Sequence, residues 1–169
     1  TSVNSTGRNN IARLNADGTL DSSFNPNANG SVLAIGVQSD GKILVGGEFT
    51  TLQPNGTGNA VSRAYLARLN GDGAVDTNFV MDLDARVRAI VFDADGRPII
   101  GGRFTTVQPS GVSSPVTRQR LIRLKSDTVV DPDFDPAPDD EVLALAVQAD
   151  GKIVAGGAFR NLYVDISPV

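Results

Sequence analysis

Short apolar runs, rich in β-branched residues, alternate with turn residues along the chain. Val32-Leu-Ala-Ile-Gly-Val37 is followed by Asp40-Gly41 and then by Lys42-Ile-Leu-Val-Gly-Gly-Glu-Phe49. Two such runs around Asp-Gly predict a β-hairpin, because glycine accepts the positive φ that a tight hairpin turn requires. The pattern recurs as Val87 to Phe92 with Arg97 to Phe104, and as Val142 to Gln148 with Lys152 to Phe159. A third strand is predicted over Tyr65 to Leu69, matched by Asn10 to Leu14 and Arg120 to Leu124. Its alternation puts Leu66 and Arg68 on one face. A turn at Asp72-Gly73 then leads to a short fourth segment ending at Phe79. No window carries a helical period.

These elements repeat in strict register. Gly46-Gly47-Glu48-Phe49 returns as Gly101-Gly102-Arg103-Phe104 and as Gly156-Gly157-Ala158-Phe159, an offset of 55 residues each time. Arg13, Arg68 and Arg123 keep that offset. So do Asp21, Asp76 and Asp131, then Phe24, Phe79 and Phe134. A fixed period of this length signals a repeat architecture. The expectation is a single repeat domain over 1–169, with copies at approximately 11–65, 66–120 and 121–169. The fold class is all-β, with about four short antiparallel strands per copy, the strand count of a β-propeller blade. A three-fold β-trefoil-like globule has a similar strand total and is the alternative. The glycine pair inside the second strand predicts a bulge or a close approach of a neighbouring layer.

Both ends of the chain fall in the connection that joins one copy to the next, so a closed ring would bring them together. That connection, Thr50 to Arg63 and Thr105 to Arg118, is rich in Gly, Pro, Ser, Thr and Asn and reads as an exposed loop. The third copy departs from it with Arg160-Asn-Leu-Tyr-Val-Asp-Ile-Ser-Pro-Val169. Leu162, Tyr163, Val164 and Ile166 make this tail more apolar than the loop it replaces. It is the segment expected to mediate assembly.

Composition narrows the function. The chain has no Cys and no His, which excludes disulfides, Cys/His zinc sites and His-based triads. The net charge of −4 argues against nucleic acid as a partner, since nucleic acid is bound through dense Lys/Arg clusters. No apolar run approaches the roughly 20 residues of a membrane helix, so no membrane insertion is expected.

The run Arg-Leu-Asn-x-Asp-Gly-x-x-Asp-x-x-Phe, followed by Val-x-Ala-Ile, Asp-Gly-Lys-Ile and Gly-Gly-x-Phe, resembles the delta-60 repeat. The resemblance extends from Ile11 to Phe159. It implies propeller-like blades and an extracellular or bacterial cell-surface setting. It brings no catalytic residues with it. The third copy departs at Asp127-Thr128, where the others have Asp-Gly, so a different turn is expected there.

Four sets of residues are candidates for chemistry. Asn15, Asp17 and Asp21, and Asn70, Asp72 and Asp76, place oxygen ligands beside a glycine turn, as a calcium loop does. Lys125 opens the third copy of that turn and opposes a cation, so backbone geometry is the simpler reason for Asp and Gly there. The acidic stretch Asp131 to Glu141 holds paired carboxylates, the groups that serve hydrolysis when their pKa values are driven apart. With no Trp and two Tyr in the chain, it reads as a solvated loop. The recurring arginines read as ion pairs with Asp21, Asp76 and Asp131. Asn4, Asn29 and Asn55 begin glycosylation-type tripeptides, which also serve as turns.

The expected function is a non-enzymatic structural module. It would associate head-to-tail or as a ring through β-strand edges, with copies of itself or neighbouring repeats as partners. No cofactor is expected beyond calcium at the two turns. A binding or adhesion platform, using the long loops to hold a protein or glycan, is the second expectation.

Overall fold

A computed structural model describes residues 7–163. In chain order the strands are β1 (Val32–Val37), β2 (Ile43–Gly47), β3 (Thr51–Leu52), β4 (Val61–Ser62) and β5 (Leu66–Leu69). Next come β6 (Met81–Leu83), β7 (Val87–Phe92), β8 (Pro98–Gly102), β9 (Thr106–Pro109), β10 (Val116–Thr117), β11 (Leu121–Ser126) and β12 (Val129–Val130). Last are β13 (Val142–Val147) and β14 (Ile153–Gly157).

The predicted hairpins form. β1 pairs with β2, β7 with β8 and β13 with β14, all antiparallel. Each turn is closed by glycine at positive φ, at Gly41, Gly96 and Gly151. β5 adds to β2, and β11 adds to β8, in equivalent register: Val45 faces Ala67 and Ile100 faces Ile122. The result is three blade-like sheets. The first is β1-β2-β5, the second β7-β8-β11-β12, and the third the hairpin β13-β14 alone. They stack in series, first on second and second on third. This is an all-β fold of propeller-like blades, and the trefoil-like alternative is set aside. The sheets gather strands in a different phase from the expected copies: a boundary at residue 65 cuts between β2 and β5, which lie in one blade.

Three expectations are corrected. Asn10 to Leu14 is not a strand; Leu14 makes only an isolated bridge to Leu20. Its equivalents pair with the hairpin one period earlier, and among the described residues Ile11 has no such hairpin before it. The fourth segment is reduced to the bridge between Leu69 and Val75 in the first blade. The long connections are not exposed loops throughout. β3 and β4 fold one of them into a small hairpin, and β9 and β10 fold the other, with β6 added on the far side. Leu52 and Val107 are fully buried there, and one apolar residue at each position is enough to anchor an otherwise polar segment.

Core packing explains why the repeats are inseparable. Phe24, Val45, Phe49, Leu52, Ala67, Leu69 and Val75 form one cluster. Phe79, Ile100, Phe104, Val107, Ile122 and Leu124 form the equivalent cluster one period on. Side chains alternate along β5, so Ala67 and Leu69 enter the first cluster while Leu66 enters the second. One strand thus closes its own blade and seats the next.

The glycine pair does both things expected of it. The pairing register shifts between Val32 and Ala34, opposite Gly47 and Gly46. A methyl group on Gly46 would overlap Val87 of the second blade, and one on Gly101 would overlap Val142 of the third. Glycine here lets one blade press against the next.

Candidate functional site

The recurring arginines are held as the sequence suggests. Arg13 donates to Asp21 at 2.8 Å, Arg68 to Asp76 at 2.9 Å and Arg123 to Asp131 at 2.8 Å. Each guanidinium also lies over a phenylalanine, Phe24, Phe79 or Phe134, at 4.6, 4.9 and 4.7 Å from the ring centre. Asp76 is nearly buried and takes a further ion pair from Lys42 at 3.0 Å. Burial pushes its carboxyl up. Hydrogen bonds from Lys42, the Asn78 N–H and Arg68 outweigh that and hold it below the ordinary aspartate value.

Two of these arginines also reach across to the next copy. Arg13 donates to the Gly71 carbonyl. Arg68 forks onto both oxygens of Asp127, at 2.5 and 2.8 Å. The altered third turn permits this. Asp17 and Asp72 use their carboxylates locally, accepting from the Thr19 and Ala74 N–H groups. Asp127 turns outward to Arg68 instead, and that hydrogen bond lowers its pKa.

The candidate calcium residues are therefore engaged within their own turns. Asp17 accepts from Thr19 twice and Asp21 from Ser23 twice; Asn15 donates to the Thr19 hydroxyl; Asp76 lies in the buried ion pair. Asn70 closes its turn through the backbone, accepting from the Gly73 N–H. Among the described residues no three acidic side chains converge.

The acidic stretch is likewise divided among separate tasks. Asp131 holds Arg123, and Asp135 pairs with Arg118 at 3.3 Å. Asp139 accepts the Arg160 and Asn161 N–H groups, as Asn29 accepts those of Thr50 and Thr51 and Asp84 those of Thr105 and Thr106. Asn29 of the second glycosylation-type tripeptide is thus a backbone cap. Asn4 lies outside the described residues. Glu141 receives Arg86 at 2.8 Å and Arg88 at 3.0 Å, and Arg86 also contacts Glu48 at 3.3 Å. This network ties all three blades. Hydrogen bonding from Arg86, against the opposing effect of burial and with help from Arg88, lowers the Glu141 pKa to about 2. Sequence reading missed it. Its signal was present, since Arg86 and Glu141 are opposite charges at one repeat position.

Between the first two blades lies a cavity of about 180 Å³, bordered by Gln38, Arg68, Arg97 and Asp127. Arg97 there is held by Asp93 at 2.7 Å and Asp95 at 3.0 Å.

The outer blades differ from this closed interior. Along the third blade runs a groove of about 390 Å³, lined by Leu121, Phe134, Pro136, Ala155, Phe159 and Leu162. Apart from Pro136, these are the equivalents of first-core residues, without counterparts of Ala67, Leu69 and Val75. Leu162, of the expected assembly tail, keeps the repeat register. It bridges Pro138 as Leu52 bridges Ala28, but is half exposed where Leu52 is buried. Tyr163 is exposed, while Val164 and Ile166 lie outside the described residues.

A family model described as a β-propeller domain of unknown function (DUF5122) matches residues 1–24, 38–79 and 148–164. The match supports a β-propeller-like repeat family, in agreement with the blades. Its segments fall on the hairpin turn, the Gly-Gly strand and the Arg–Asp–Phe stack. No curated protein matches the chain.

Proposed function

We propose that this chain is a non-enzymatic structural module that associates through its blade faces and strand edges, head-to-tail or in a ring. On the delta-60 resemblance, its setting is extracellular or on a bacterial cell surface. One series of residues carries the reading. Leu44 and Ile99 occupy one repeat position and are both 0 % exposed, covered by the following blade; Val154 occupies the third such position and is 53 % exposed. Apolar surface of this kind, continuous with an apolar groove, marks an interaction site. The repeated ion pairs work in the same direction, because charges spent on internal stacks hold a scaffold rather than turn over a substrate.

A loop-based binding platform has less support. The two ends of Thr50 to Arg63 and of Thr105 to Arg118 pair as short strands, so only the segments between those strands are free to make contacts.

Sedimentation velocity over a wide concentration range tests the reading. The average mass is expected to rise with concentration, and Val154→Asp is expected to hold the protein as single chains. A constant single-chain mass up to several hundred micromolar, on the order of a weak interface, would overturn it.

A further inference from the structure

We infer that the partner of the third blade is the first blade of a second copy of this chain, docked in the register that the internal repeats already use. This rests on the association reading above and names its two surfaces.

The third blade lacks a definite set of groups. In the first two blades the outer edge of the hairpin is covered by a strand, β5 on β2 and β11 on β8. Among the described residues β14 has no such partner. The repeat position that would supply it, carried one period beyond the third copy, is occupied in a second copy by Ile11-Ala12-Arg13-Leu14. Among the described residues that segment pairs only through the bridge of Leu14 to Leu20. Leu14 is 63 % exposed, whereas its equivalents Leu69 and Leu124 are 0 % exposed. Placed on β14, Ala12 would face Ala155, as Ala67 faces Val45 and Ile122 faces Ile100. Leu14 and Leu20 would fill the groove in front of Phe134 and Phe159, as Leu69 and Val75 fill the first core.

The blade face gives an independent argument. Gly46 and Gly101 are each pressed by the next blade, by Val87 and Ile90 and by Val142 and Leu145 respectively. Gly156 has nothing within 4 Å. The residues that would press it are Val32 and Ile35 of a second copy. Ile35 is 53 % exposed, while its equivalent Ile90 is 8 % exposed. An empty seat and an unburied occupant therefore lie at opposite ends of one molecule.

Charge fits as well. Arg13 reaches the Gly71 carbonyl of the following turn; Arg123 would reach the equivalent Ala16 carbonyl of the docked chain. Lys42 pairs with the buried Asp76; Lys152, exposed and paired only with Asp150 among the described residues, would meet Asp21. The contact is heterologous, so it generates a ring if the rotation closes and a filament if it does not.

The chain has no cysteine, so engineered thiols report cleanly. Ala12→Cys and Ala155→Cys are made singly, and the two proteins are mixed under oxidising conditions. Directly opposed strand residues have Cα atoms about 4.5–5.5 Å apart, within the roughly 4.4–6.8 Å a disulfide spans. The expected result is a disulfide-linked dimer in the mixture, little from either variant alone, and loss of the linkage when Ile35→Asp is added to the Ala12→Cys chain. Equal linkage of Ala155→Cys with itself would show edge-to-edge pairing of two β14 strands and overturn the inference. So would association by sedimentation with no linkage in the mixture, which leaves the association reading standing. A chain that never associates removes both.

Discussion

Arg68 and Asp127 are 59 residues apart, yet the guanidinium forks onto the carboxylate across two copies of the repeat. The two partners are unequal. The Arg68 side chain is 3 % exposed and that of Asp127 is 62 % exposed. Arg68 also satisfies the buried Asp76 and lies over Phe79. Removing an arginine of this kind leaves a buried carboxylate short of a partner, which costs about 3–5 kcal/mol. Removing an exposed one costs under about 1 kcal/mol. Arg68→Met is therefore expected to lower the urea midpoint severely, and Asp127→Asn only slightly. Equal effects would show that the cross-copy fork, not the Asp76 pair, dominates.

Glu141 predicts a specific acid sensitivity. Its pKa falls from 4.5 to about 2, first through Arg86. A depressed carboxyl stabilises the fold fully above its unfolded pKa, and that contribution is lost as pH falls from 4.5 toward 2. Glu141→Gln is expected to cost about 2 kcal/mol at neutral pH, the size of a charge-assisted hydrogen bond. It should also flatten the decline in stability between pH 4.5 and 2.5. Urea titrations of both proteins across that window decide it; parallel declines would assign the acid sensitivity to other carboxylates.

Much of this arrangement was legible in the chain. The hairpins, their register and the Arg–Asp–Phe stacks follow from a fixed period, because each copy confirms the alignment of the others. What escaped depends on which copy touches which. Leu52 and Val107 sit in segments otherwise composed of loop residues, so local composition hides the strand they anchor. Ile11 to Leu14 reads like its equivalents but has no neighbouring strand among the described residues, and alternation alone does not supply one. The exposed third core follows from the same cause, since among the described residues no strand adds to β14.

Backbone strain offers a stabilising change. Tyr65 and Arg120 precede their strands at φ of 66° and 62°, a region that β-carbon sterics disfavour. Asn10 holds the same place at φ 63°, and its amide donates to the Ala28 carbonyl at 2.9 Å. The Arg120 guanidinium makes the equivalent bond to the Pro138 carbonyl at 3.0 Å. Arg120→Asn keeps that bond and tolerates the conformation. It is expected to raise stability by about 1 kcal/mol, read as an increase of several degrees in Tm. A fall in Tm would mean that the arginine contributes more than the strain removes.

Calcium is expected to leave the protein unmoved. Hydrogen bonds from the Thr19 side chain and N–H hold the Asp17 pKa below its ordinary value, and those from Ser23, with Arg13, do the same for Asp21. A cation would have to displace these partners to gain the same oxygens. Millimolar calcium should give neither heat by calorimetry nor a change in Tm, and a clear Tm increase would restore the turns as metal sites.

The three equivalent glycines separate folding from association. A methyl group on Gly101 meets Val142 of the next blade, and one on Gly156 meets nothing. Overpacking a closed interface costs about 1–3 kcal/mol. Replacing a glycine in open space, with no positive φ to preserve, is neutral or slightly favourable because the unfolded chain loses freedom. Gly101→Ala is thus expected to lower Tm in the single chain. Gly156→Ala should melt like the parent protein and yet fail to associate, since its methyl group would occupy the seat assigned to Val32 of a second copy. Thermal melts combined with sedimentation on both variants test this directly. If Gly156→Ala associates as the parent does, the third blade docks its partner through some other surface.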